Sequence, residues 1–367
     1  MMTSVRSKIS LPTPLFALPP RTEMVRALEA HDASYDGIFL TAVRTTGIFC
    51  RPSCRPPRGP KAENVEFFAS VSECLFAGYR PCRLCAPSVA PGTAPAWLTR
   101  LVTELEADPS RRFTDGDLRA MDLSKERVRN GFLATYGVTF AAWCRARRLA
   151  HAFTALREGE GTANASVDAG FESESGFREA FAKAFGDSPR NAANLEALFV
   201  RRIETPIGAF LAGATRRGVA LFEFADRRML ERNVAAVRRK LGGPFLPGPS
   251  PHLDRLEREV REYFTGERRA FEVPLDPQGT PFESLVWREL LRIPHGTTRS
   301  YADVATALGR PTATRAVARA NGANRIAILI PCHRVIGADG TLTGYGGGVW
   351  RKRLLLDLER TGHLPGS

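Results

Sequence analysis

Four of the seven cysteines stand in two short pairs, "CRPSC" at residues 50 to 54 and "CRLC" at 82 to 85, with residues 55 to 81 between them. Two such pairs bring four sulfurs to one tetrahedral point, because a single turn aims both members of a pair inward. Whatever lies between the pairs must then close a loop on a metal, which no other feature of the chain demands so tightly. Prolines at 52, 56, 57 and 81 stiffen those turns and lower the entropy lost on closing the site. Cys50, Cys54, Cys82 and Cys85 are therefore expected to bind one Zn2+; from spacing alone a purely structural zinc is the expectation for four such cysteines, ahead of a reactive one. Cys74, inside "VSECLFAGY", fits no ligand spacing and is expected as the core residue of a helix.

The chain has 367 residues, 43% of them hydrophobic and 25% charged, enough for two to four domains with their own cores. Lysine and arginine number 52 against 39 acidic residues, and the net charge of +13 either draws polyanions, nucleic acid first among them, or marks a basic, well-solvated surface; composition alone favours neither. No apolar run approaches the eighteen or more residues of a membrane span, and "MMTSVRSKISLPTPLFALPP" is too broken by prolines for a signal peptide. An odd number of cysteines in closely spaced pairs suits metal binding or catalysis in a reducing compartment, so the chain reads as cytoplasmic, with no membrane partner.

Composition divides the chain into four parts: 20–92, 93–198, 199–278 and 279–365. "APSVAPGTAPAW", residues 86 to 97, looks like a linker. The second part reads as helix, short turn, helix, then a longer basic helix containing "RARRLAH", and "ASVDAGFESESGFREAFAKAFGDSPR" repeats the first half of that plan. There Gly170 marks a tight turn, Phe171 and Phe177 point to a core, and Ser173 caps a helix running to Phe185. Ser175, Arg178 and Lys183 are left on the exposed face, as a helix laid in a major groove requires. In the first copy Arg127 and Arg129 are the candidate contacts, and Cys144 is a packing residue. The third part opens with alternating residues typical of short strands and continues into the helix "LERNVAAVRRKL".

The fourth part contains "ILIPCHRVIG", with Cys332 and His333 adjacent. Filler, metal ligand and nucleophile are the three readings of this cysteine. No second cysteine stands at ligand spacing, and a free thiol of pKa near 8.5 needs a base to act at neutral pH. His333 supplies one, directly or through a water, and Glu359 downstream can hold the imidazole in the right tautomer. Upstream, "SYADVATALGRPTATRAVARANGANR" reads as a helix-turn-helix whose second helix carries Ala316, Ala318, Ala320 and Gly322, small enough to let its backbone approach a groove.

Three resemblances follow. "FLTAVRTTGIFCRPSCRPP" with "ENVEFFASVSECLFAGYRPCRLC" resembles the N-terminal domain of the Ada family of bacterial methylation-damage regulators. It implies that Cys50 takes a methyl group from a methylated DNA phosphate. Methylation turns one of four zinc-bound thiolates into a thioether and removes one negative charge facing the backbone, so DNA affinity rises. The second copy of the helical part, with its G-F-x-S and G-x-S-P, resembles AraC-type DNA-binding domains. From Val200 onward the chain resembles the O6-alkylguanine-DNA alkyltransferases, most specifically in P-C-H-R-V. That resemblance implies Cys332 as alkyl acceptor, His333 as base through a water, and Glu359 as third member of the triad. It further implies that Arg315 fills the gap left by a flipped base, Tyr301 helps turn its phosphate, Asn324 binds the hinge before the active-site loop, and "TGYGGG" covers the pocket. Flipping is required because the O6 carbon is unreachable inside the stack.

The expected fold is multidomain, α/β plus α: a small zinc domain, an AraC-type double helix-turn-helix domain, a ribonuclease-H-like α/β subdomain and a winged-helix-like alkyltransferase domain. The expected partners are double-stranded DNA, damaged and promoter, and RNA polymerase. No Gly-rich cofactor motif is present and the damaged DNA is itself the methyl donor, so no S-adenosylmethionine is expected. The alternative is a repair alkyltransferase whose zinc and helix-turn-helix domains only aid DNA binding, without a methylation switch.

Overall fold

The computed structural model describes residues 18–364 except 33–34, 58, 89–92, 109–110, 227–229 and 343. The proline-broken N-terminal stretch through residue 17, part of the linker and Thr343 of "TGYGGG" therefore lie outside the described residues. The chain divides into two compact units, residues 1–91 with 342–367, and residues 92–341.

In the first unit, α1 (Arg21–Glu29) precedes a small sheet of β1 (Leu40–Val43), β2 (Ile48–Cys50), β3 (Val65–Phe68) and, after α2 (Val71–Phe76), β4 (Arg80–Pro81). The strand order is β3-β1-β2-β4, antiparallel except for the parallel β2–β4 pair. Leu40, Ala42, Phe49 and Cys74 form its core, with Cys74 fully buried as expected. Burial pushes that thiol up to about 12, so it is an inert packing group.

The second unit opens with α3 (Ala96–Ala107), α4 (Asp115–Ala120), α5 (Lys125–Tyr136) and α6 (Phe140–Arg157). The linker is shorter than its composition suggests: Ala94 is buried in the core of these helices, and Trp97 stands in the first turn of α3. A proline-rich stretch reads alike whether its small residues are solvated or packed. Trp97 passes so close to α5 that a β-carbon on Gly131 would lie 2.4 Å from its ring. The second copy follows as α7 (Thr162–Asp168) and α8 (Glu174–Phe185). Ser173 accepts the Gly176 N–H at 3.1 Å and starts α8, while Gly186 at φ 74° ends it. Phe177 and Phe181, one turn apart, bury the inner face, and Phe185 stacks on Phe181 at 4.3 Å.

A four-stranded sheet comes next, β5 (Leu198–Thr205), β6 (Gly208–Ala214) and β7 (Val219–Phe224), then α9 (Leu230–Leu241), β8 (Phe245–Pro247) and α10 (Pro251–Phe264). Its order is β7-β6-β5-β8, with only β5–β8 parallel. All six residues of β7 are buried. The remainder is α11 (Pro281–Leu290), β9 (Arg299–Ser300), α12 (Tyr301–Ala307), α13 (Thr314–Gly322) and β10 (Val335–Ile336). Capping boxes at Thr280–Glu283 and Ser300–Asp303 start α11 and α12.

The last helix, α14 (Val349–Thr361), belongs to the first unit. There Gly37, at φ +87°, sits under the Trp350 ring, which a β-carbon would approach to 3.0 Å. Among the described residues, no helix is long and apolar enough to cross a membrane.

Candidate functional site

Parallel pairing of β2 with β4 brings the two cysteine pairs together: Arg80 N–H donates to Gly47 O and Cys82 N–H to Phe49 O, both at 2.9 Å, so Cys82 lies beside Cys50. Tight turns aim the second member of each pair, with Cys54 N–H on Arg51 O at 3.1 Å and Ala86 N–H on Cys82 O at 3.0 Å. The four Sγ atoms lie within 4.8 Å of one another. Zinc with four thiolates at about 2.3 Å has edges of about 3.8 Å, so the cluster fits the ion after shifts of about 1 Å. Four thiols this close cannot all ionise without a cation. The hydrogen bond with Cys85 and then burial push the Cys50 thiol up, burial pushes Cys54 up to about 12, and the bond with Cys50 holds Cys85 down to about 5. Arg51 N–H reaches Cys85 Sγ at 3.4 Å.

Two braces on this loop carry no ligand spacing and escape a reading of the sequence. Asp36 accepts from Ser53 N–H at 3.0 Å and from Ser53 Oγ at 2.5 Å, and His31 Nδ1 is 2.8 Å from Cys54 O. Cys54 is buried, whereas Cys50, Cys82 and Cys85 are all partly exposed. Exposure therefore does not select Cys50 among them.

On α8, Ser175, Arg178 and Lys183 are exposed, opposite Phe177 and Phe181. Arg178 pairs with Glu174 at 2.5 Å and Ser175 Oγ is 3.2 Å from Ser173 Oγ. On α5, Arg127 and Arg129 are exposed, with the Arg127 guanidinium 5.1 Å from the centre of the Trp97 ring. Cys144 is partly buried against the first helical core, and burial pushes its thiol up to about 11. The two copies are joined by Arg112, which donates to Gly170 O from Nε at 3.1 Å and from Nη2 at 2.8 Å and pairs with Glu172. Beside it a cavity of about 510 Å3 is lined by Arg111, Arg129, Arg145, Arg147 and Arg148 among others. A charge of that density suits the phosphate backbone.

Cys332 opens a 3-10 turn, Cys332–Arg334, and is 7% exposed, next to fully buried His333. Asn324 organises this turn. Its Nδ2 donates to Ile330 O at 2.8 Å and to Cys332 Sγ at 3.1 Å, and its Oδ1 accepts Ile326 N–H at 2.9 Å. The segment is hung on β7, with Phe222 N–H on Arg325 O and Ala327 N–H on Phe222 O, both at 2.8 Å. Ile328, Leu329 and Ile330 are buried filler, and Ile328 takes φ 69°, a strained conformation for a β-branched residue. Trp287 Nε1 donates to Ala320 O at 2.9 Å and locks α13 to α11.

Arg315 is exposed near the start of α13, and Tyr301 is half-buried at the start of α12. Ala316 and Ala318 are partly exposed and Gly322 is open, but Ala320 is 3% exposed with Val317 and Asn321 on the inner face. Ala320 is thus excluded from the groove face: at 100° per residue it shares the phase of Val317, not of Arg315. Glu359 stands on α14 in the other unit, 5% exposed.

A buried cysteine–histidine pair behind a helix-turn-helix, on a chain that also holds a four-thiol zinc cluster and paired helix-turn-helix units, defines a DNA-repair alkyltransferase fused to a DNA-binding regulator. Family models match along the chain in that arrangement: the metal binding domain of Ada over 23–88, a helix-turn-helix domain over 118–194, and the 6-O-methylguanine DNA methyltransferase DNA binding domain over 281–361. The Escherichia coli bifunctional transcriptional activator/DNA repair enzyme Ada is 38% identical over 344 residues, 90% of this chain and 94% of that one. The chain belongs to the Ada family. A methylated-DNA–protein-cysteine methyltransferase of Mycobacterium bovis is 47% identical over 44% of this chain and 92% of its own. A solved Mycobacterium tuberculosis alkyltransferase in complex with DNA is 38% identical over 45% of this chain and 95% of its own, with a TM-score of 0.40.

Proposed function

We propose that the protein, a methylated-DNA–cysteine methyltransferase and transcriptional activator, moves methyl groups irreversibly onto two of its own cysteines. Cys332 takes the methyl of O6-methylguanine. Cys50 takes that of a methylphosphotriester, and its methylation turns the chain into an activator of alkylation-damage genes. What carries this reading is the buried Cys332 thiol, which receives a hydrogen bond from Asn324 and sits beside His333 in a turn that Asn324 tethers.

The Cys332 proton passes to His333 through a water while Glu359 holds the imidazole. The sulfur then attacks the methyl carbon, the carbon–O6 bond breaks, and guanine leaves with its electron pair and gains a proton at N1. Hydrogen bonding from Asn324 favours the thiolate over the thiol. Arg315 fills the place of the flipped nucleotide and Tyr301 turns its phosphate. The resulting thioether does not hydrolyse, so each acceptor works once.

Cys50, Cys54, Cys82 and Cys85 would hold one zinc ion, which when bound would keep all four thiols ionised at neutral pH. Cys50 sulfur attacks the methyl carbon, and the repaired phosphodiester is the leaving group. No S-adenosylmethionine takes part, since the lesion donates the methyl. Ser175, Arg178 and Lys183 contact promoter DNA, Arg127 and Arg129 assist, and RNA polymerase is the partner in activation. The boundaries are those read from composition, 20–92, 93–198, 199–278 and 279–365, and the chain acts in the cytoplasm, where free thiols persist.

The test is incubation with DNA carrying labelled methyl groups, followed by peptide mapping. Label is expected on both Cys332 and Cys50. Label on Cys332 alone refutes the switch and leaves the zinc and helix-turn-helix domains as DNA-binding aids; label on neither, with folded protein, refutes the whole reading.

A further inference from the structure

A second asparagine stands beside the nucleophile and has no part in the chemistry described so far. Asn321, on the last turn of α13, is 5% exposed. Its Nδ2 is 3.4 Å from the backbone oxygen of Cys332, and its Oδ1 is buried with no hydrogen-bond partner. The reversed amide would set its oxygen against the Cys332 carbonyl oxygen, so the network fixes the nitrogen toward Cys332. The contrast with Asn324 is direct, since both ends of that amide are used. A buried acceptor left unpaired destabilises the fold, whereas an apolar side chain of the same size in its place does not.

We infer that Asn321 Oδ1 accepts a hydrogen bond from the exocyclic 2-amino group of the flipped O6-methylguanine, and so selects the purine lesion. The inference rests on Cys332 being the acceptor for that base. O6-methylation removes the N1 hydrogen, leaving acceptors at N1 and N3 and a single donor on the edge that bears O6, the 2-amino group. The nitrogen and oxygen of a planar amide are about 2.2 Å apart given its bond lengths, which places Oδ1 within about 6 Å of the Cys332 carbonyl. A base that presents its O6 methyl to Cys332 presents the amine along the same edge. O4-methylthymine has a carbonyl oxygen in place of that amine, and two acceptors face to face repel. A site built to receive a hydrogen bond rejects an analogue that cannot give one.

The test compares single-turnover methyl transfer from DNA containing O6-methylguanine with transfer from DNA containing O6-methylhypoxanthine, which lacks only the 2-amino group. The full-length wild-type protein is expected to prefer O6-methylguanine by about tenfold, the worth of one buried hydrogen bond. Asn321→Leu is expected to bring the ratio close to one, and Asn321→Asp, which keeps an acceptor, to retain the preference. Because both substrates are measured on one preparation, partial misfolding lowers both rates and leaves the ratio intact. Equal rates in the wild type, or a tenfold preference surviving in Asn321→Leu, overturn the inference. Absence of label on Cys332 with both substrates refutes instead the assignment of the acceptor.

Discussion

Replacing Asn324 with alanine separates the two tasks its side chain performs. The loss of Oδ1 orphans the Ile326 N–H in a region with almost no solvent access, at a cost of about 1–3 kcal/mol. Ile330 O keeps a second donor, the Cys332 N–H at 2.8 Å, so its loss is smaller. The loss of Nδ2 removes the donor 3.1 Å from Cys332 Sγ, and a hydrogen bond to a charged group contributes about 1.5–3 kcal/mol. At 1.36 kcal/mol per unit this raises the working pKa of the thiol by about 1–2 units. Single-turnover methyl transfer followed against pH is expected to show its rising limb displaced upward by that amount, with the rate at pH 7 reduced about 10- to 100-fold. Asn324→Asp sharpens the test: it keeps an acceptor for Ile326 N–H but sets a negative charge beside the sulfur and an oxygen against Ile330 O, so it transfers more slowly than the alanine variant. A pH midpoint unchanged in Asn324→Ala, whatever its melting temperature, refutes the role of Asn324 in favouring the thiolate.

Other substitutions probe the zinc site and the scaffold. Cys85→Ser is expected to abolish stoichiometric zinc, measured by atomic absorption, and to open the first ninety residues to limited proteolysis while transfer to Cys332 persists, because a structural zinc supplies about 10–16 kcal/mol of folding free energy in small domains. Glu259 on α10 has no solvent exposure; burial raises its carboxyl, but Arg255 at 2.6 Å and the Glu272 and Val273 N–H groups outweigh that and hold it below the usual range. A lowered folded value means that its stabilisation is complete above the unfolded carboxyl pKa of about 4.3 and is lost as pH falls through the folded value; urea titrations of wild type and Glu259→Gln should differ by about 1.5–3 kcal/mol at pH 7, the worth of a hydrogen bond to a charged group, and converge in acid. Gly131→Ala places a methyl 2.4 Å from the Trp97 ring, and the strain of about 1–3 kcal/mol exceeds the gain in helix propensity of about 1 kcal/mol, so the midpoint of thermal unfolding should fall.

The features legible in the sequence are those whose physics is local. Two cysteine pairs, a serine three residues before the N–H it caps, glycine at the end of α5 and α8, and proline before an adjacent cysteine and histidine each declare themselves within a few residues. The supports that make those elements a site are long-range. Asp36 reaches Ser53 across 17 residues, Arg112 reaches Gly170 across 58, and Trp97 reaches Gly131 on another helix; no period or spacing in a single chain announces any of them.

The error over Ala320 has a different origin and shows what small residues alone do not specify. A run of alanines satisfies the need for a close approach on either face of a helix, against DNA or against α11. Only phase decides, and phase is read from the large residues: Val317 and Asn321 turn inward with Ala320, whereas Arg315, Arg319 and Gly322, spaced by four and three, lie on the outer face. The fully exposed residues of α13 are therefore Arg315, Arg319 and Gly322, and its inner surface brings the Asn321 amide to the carbonyl of Cys332. On the proposal that Arg315 fills the place of a flipped base, one helix serves both ends of that exchange, with Arg315 on its outer face and Asn321 beside Cys332 on its inner face.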